Sequence, residues 1–72
     1  SDGLVIYPNP TDGLLNIESN LTDVVIFDIM GRCVYQASSV TSTIDLSALC
    51  AGTYIFVAND GINRVSTKLI KN

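Results

Sequence analysis

The chain has 72 residues, a net charge of −3, 47% apolar residues and 15% charged ones. That length allows one domain. The apolar share is too high for a disordered tail, and no apolar run approaches the ~20 residues of a membrane-spanning helix. Only Arg32, Arg64, Lys68 and Lys71 are basic and histidine is absent, which argues against a nucleic-acid binder and removes the commonest metal ligand and general base.

Ser1-Asp2-Gly3 lacks the basic start of a signal peptide, so the expectation is a mature piece or an excised module of something longer. Short apolar stretches then recur between turn residues, the pattern of an all-β sandwich or barrel. Leu4 to Tyr7 reads as a first strand, ended by Pro8. Both prolines lie in Tyr7-Pro8-Asn9-Pro10-Thr11-Asp12-Gly13. They fix φ, remove amide donors and push Tyr7 and Asn9 into extended geometry, and Asp12-Gly13 supplies a turn. Leu14 to Glu18 is a second strand, and residues 19–23 read as a loop.

Val24 to Ile29 is apolar on both faces, as in a central strand covered on both sides or partly covered. Met30-Gly31-Arg32 is a tight turn, Cys33 to Gln36 a short strand, Ala37 to Val40 a loop, and Thr41 to Leu46 a β-branched strand. Residues 47–52 form a corner with one helical turn at most. Thr53 to Asn59 is a second doubly apolar strand. Asn59-Asp60-Gly61 predicts a type I′ hairpin turn, and Asn63 to Ile70 closes the fold. The expectation is seven antiparallel strands. Tyr54, following a glycine-containing corner, reads either as an ordinary core tyrosine or, the favoured reading, as the tyrosine corner of Greek-key sandwiches, its hydroxyl bonded to a backbone group upstream.

No nucleophile–base pair assembles without histidine, and Lys68 and Lys71 are expected in a frayed terminal segment. The carboxylates are scattered over turns and strand ends, and Asp12 beside Asn9 falls far short of a calcium site. No enzyme and no cofactor are expected. Cys33 and Cys50 read either as small apolar fillers or as one disulfide, which in a secreted domain would contribute about 3 kcal/mol. A sandwich-type adhesion or carbohydrate-binding module is the competing function, although only Tyr7 and Tyr35 are left to form an aromatic platform.

Four segments occur in order: Tyr7-Pro8-Asn9-Pro10-Thr11-x-Gly13, Val24-x-Ile26-Phe27-Asp28-x-x-Gly31-Arg32-x-Val34, Ile44-Asp45-Leu46-Ser47-x-Leu49-x-x-Gly52-x-Tyr54, and Lys68-Leu69-Ile70-Lys71. Together they resemble the type A C-terminal sorting domain of the type IX secretion system (Por secretion system) of Gram-negative bacteria, over essentially the whole chain. The resemblance implies a single domain, residues 1–72, with an immunoglobulin-like seven-stranded antiparallel β-sandwich, at the C-terminus of a larger secreted protein. It implies recognition by the outer-membrane translocon, delivery through the periplasm to the cell surface or medium, and removal by a surface sortase. The partners are thus the translocon, the sortase and a fused N-terminal cargo, with no nucleic acid and no transmembrane segment. The pattern falls on Pro8, Asn9, Pro10, Gly13, Gly31, Arg32, Gly52, Tyr54 and Lys68. Gly13, Gly31, Gly52 and Tyr54 are expected to serve the fold, and Arg32 and Lys68 to make exposed contacts. Cys50 stands where the family commonly has proline before Ala-Gly. The implied fold places Cys33 and Cys50 near the same end, which keeps the disulfide reading open.

Overall fold

Period-two burial dictates the strands. Tyr54, Phe56 and Ala58 are buried while Ile55 between them is exposed, and Leu15 and Ile17 are buried on either side of half-buried Asn16. The structure is a computed structural model and describes residues 6–8, 10–18 and 20–72. It contains β1 (Ile6–Tyr7), β2 (Leu14–Ile17), β3 (Leu21–Asp28), β4 (Cys33–Val40), β5 (Thr43–Asp45), β6 (Gly52–Asn59) and β7 (Arg64–Lys71), with no helix among the described residues. Leu4 and Val5, expected in the first strand, lie outside the described residues.

The strands form two antiparallel sheets, ordered β1-β2-β5 and β4-β3-β6-β7. Leu15, Ile17, Ile44 and Leu46 from the first side join Leu21, Val24, Ile26, Val40, Tyr54, Phe56, Ala58 and Leu69 from the other in one buried cluster. Burying a side chain such as Phe56 contributes roughly 1.5–3 kcal/mol, and this shared cluster holds the sheets together.

Several expectations change. The loop expected at 19–23 is short, because β3 already begins at Leu21, which is fully buried and pairs with Val40. The turn character survives as an irregularity inside β3, where Asp23 has φ 50° and the register to β6 shifts between Thr22 and Val25. β4 runs through the expected loop to Val40, because Ala37 and Val40 face the core while Ser38 and Ser39 face solvent. The β6–β7 connection is not a two-residue turn. Asn59 pairs with Arg64, so residues 60–63 form the loop, and Asp60 Oδ1 accepts the Ile62 and Asn63 amides at 2.9 and 2.8 Å. The C-terminal segment is not frayed: β7 reaches Lys71, which is buried.

Candidate recognition site at one end of the sheets

The proline-flanked segment is built around Thr11. This residue is fully buried and every polar group it has is used. Its amide donates to the Ile70 carbonyl at 2.9 Å, and its carbonyl accepts the Asn72 amide at 2.8 Å, a parallel bridge to Lys71. Its hydroxyl donates to the Leu14 carbonyl at 2.7 Å and accepts the Gly13 amide at 3.1 Å. Asp12 Oδ1 accepts the Asn72 side-chain amide at 3.1 Å. The residues after the first strand therefore hold the last residues of the chain. Asn72 is part of this contact.

Gly13 carries the contact onward. Its carbonyl accepts the Leu46 amide at 2.6 Å, and its φ is 153°. A Cβ there would meet the Ser47 Cα at 3.4 Å, so both the backbone conformation and the close approach favour glycine. The Asp45 carboxylate accepts the Ser47 amide at 2.9 Å, and that amide holds the carboxyl below the usual range.

Asp28 builds the β3–β4 hairpin. Its Oδ1 accepts the amides of Met30 and Arg32, both at 2.9 Å, and its Oδ2 accepts Arg32 Nε at 3.0 Å. The backbone adds Asp28 N–H to the Arg32 carbonyl and Gly31 N–H to the Asp28 carbonyl. Gly31 supplies the φ of 84° that this turn requires. The Arg32 amide, then the Met30 amide and the Arg32 guanidinium, hold the Asp28 carboxyl below its ordinary value. The turn presents Ile29, Met30 and the Arg32 side chain to solvent, the last 78% exposed.

Tyr54 makes the expected corner. It is buried, and its hydroxyl donates to the Cys50 carbonyl at 2.6 Å, four residues upstream. Gly52 opens β6 and pairs with Lys71, while Asp28 pairs with Tyr54 and Tyr54 with Leu69. The register therefore lines up the Asp28–Arg32 hairpin, the tyrosine corner, the end of β7 and the Thr11 bridge along one end of the molecule.

Of the residues named from sequence, Gly13, Gly31, Arg32, Gly52 and Tyr54 gather at this end, and exposed Pro8 and Pro10 flank the approach to Thr11. Asn9 lies outside the described residues. Lys68 does not join them, since it sits within β7 opposite Ile55. Thr11, Asp28, Leu46 and Ser47, which stand in the quoted segments without an assigned role, act here, as does Asn72. The sequence signal for Asp28 was its place in the second quoted segment, three residues before Gly31.

The cysteines require a correction. Cys33 and Cys50 are both free and exposed, neither apolar fillers nor a disulfide. They share an end of the molecule, but Cys33 pairs with Phe27 and Phe27 with Ile55, two strands across and five residues along the chain from Cys50.

An aromatic sugar platform does not form either. Phe56 and Tyr54 are buried, Tyr35 packs half-buried against the core, and exposed Tyr7 donates its hydroxyl to Glu18 at 2.9 Å. That bond, reinforced by the Glu18 charge, raises the Tyr7 pKa above its ordinary value.

A comparison with curated proteins found no match. A family model described as the secretion system C-terminal sorting domain matches residues 5–72. That span contains the Thr11 bridge, the Asp28 hairpin and the tyrosine corner, and the chain belongs to the C-terminal sorting domain family of the type IX secretion system.

Proposed function

We propose that this chain is a removable export label, carried behind a cargo that precedes residue 1, read by the type IX translocon and cut away by a surface sortase. Family membership supports the sorting role, in a family of sorting signals rather than enzymes, and with it a protein secreted across the outer membrane or held at the cell surface. We infer that the seven strands form an immunoglobulin-like sandwich. The sheet orders β1-β2-β5 and β4-β3-β6-β7, with Tyr54 near the start of β6, fit that topology.

The observation that carries the reading is the gathering of segments far apart in the chain at one end. A folded signal works by shape. Turns fixed by Thr11 and Asp28 present Arg32 and neighbouring backbone in one geometry, with little ordering entropy lost on binding. On this reading Pro8, Pro10 and Arg32 meet the translocon, while Gly13, Gly31, Gly52 and Tyr54 hold the surface in shape; Asn9 and Lys68 are further proposed contacts.

Fusion of residues 1–72 behind a periplasm-directed fluorescent reporter, in a type IX-competent cell, tests the proposal. The reporter should reach the surface or medium without the 72-residue tail. A folded fusion retained in the periplasm would sink the export role; export with the tail intact would sink the removal step.

A further inference from the structure

Each sheet edge except one is defended against pairing with another chain. β1 has two described residues and is followed by Pro8. β5 has three residues and carries Asp45. β7 carries Arg64, Lys68 and Lys71, and Thr11 covers its last residues. Short length, proline, charge and a covering segment are the usual means of blunting an edge. β4 has none of these, and its single bulge, at Val34, lies near one end. It is eight residues long, Cys33-Val34-Tyr35-Gln36-Ala37-Ser38-Ser39-Val40, with no charge and no proline, and no described strand lies on its outer side.

Its centre is regular. Tyr35, Gln36 and Ala37 pair with Ile26, Val25 and Val24 in the register that continues to Leu21↔Val40, and the β3–β4 register shifts only beyond Tyr35, at the displaced Val34. Tyr35 and Ala37 are half-buried against the core, and Gln36 points to solvent.

We propose that β4 is a pairing edge for a second copy of this chain, joined antiparallel about a two-fold axis through Gln36. This register sets each Tyr35 beside the Ala37 of the other copy, a large side chain against a small one on the core face. It sets Gln36 beside Gln36 on the outer face, where two amides can exchange hydrogen bonds. The contact is the same patch on both copies, as a closed dimer requires. The uncharged strand brings no like charges together. The four-stranded sheets then merge into one continuous sheet.

Sedimentation velocity on the whole chain, with reductant present to exclude linkage through exposed Cys33 and Cys50, tests this. The wild type should show a concentration-dependent dimer. Gln36→Lys, which places two cations directly opposite each other, should weaken it about fivefold, with an unchanged far-ultraviolet circular dichroism spectrum. Mixing Gln36→Lys with Gln36→Glu should restore association to at least the wild-type level. A wild type that stays monomeric to about 1 mM would overturn the proposal, as would a dimer whose affinity Gln36→Lys leaves unchanged.

Discussion

Thr11 shows how much a single buried polar side chain can organise. Its hydroxyl joins the Gly13 amide to the Leu14 carbonyl in a fully buried position. Thr11→Val keeps the shape and removes both bonds, leaving a buried donor and acceptor unpaired. The expected loss is about 2 kcal/mol in urea unfolding at neutral pH. Tyr54→Phe strands only the Cys50 carbonyl and should cost about 1–2 kcal/mol in the same measurement. Asp28, Asp45 and Asp60 all accept backbone amides and are held below their ordinary pKa, Asp60 chiefly by the Asn63 amide. Their contribution is therefore complete above the unfolded-state value of about 3.9 and is lost as pH falls through the lower folded-state values. The urea midpoint should stay level near neutrality and drop below about pH 4, and Asp28→Asn should flatten that drop. Glycine and tyrosine roles at this scale were readable from sequence, because turn chemistry is local. Asp28 reads in sequence as one solvated turn carboxylate among several, although the amides it accepts, Met30 and Arg32, lie only two and four residues on in the same turn.

At the scale of elements, strand number and order along the chain were legible from spacing, whereas strand ends were not. Residues 37–40 are small and polar enough to read as a loop, yet pairing with β3 and one buried Val40 extend β4 through them. Asp60-Gly61 carries the composition of a tight turn, but Asp60 gathers two amides into a longer loop. The contact least visible in sequence joins residues 60 positions apart, where Asp12 holds the Asn72 side chain and Thr11 the Asn72 amide. No periodicity encodes such a pairing. Deleting Lys71 and Asn72 should leave most of β6 and β7 paired but free the Thr11 segment. Exchange of the Thr11 amide should then rise about tenfold or more, measured by hydrogen exchange.

Across the whole molecule, motifs spread through the chain meet at one end, while the 60–63 loop, with Ile62 88% exposed, occupies the other. The family pattern was legible as a linear series. Its meaning as one surface emerges only from strand register, which aligns Asp28 with Tyr54 and Leu69, and Gly52 with Lys71. A signal read by shape at that end should be sensitive there and indifferent at the other. The most direct measurement compares export of reporter fusions carrying Arg32→Glu or Ile62→Ser, each checked for folding by protease resistance. Arg32→Glu should abolish or sharply reduce surface delivery while Ile62→Ser exports like the wild type. Equal export of both folded variants at the wild-type level would contradict recognition at this end.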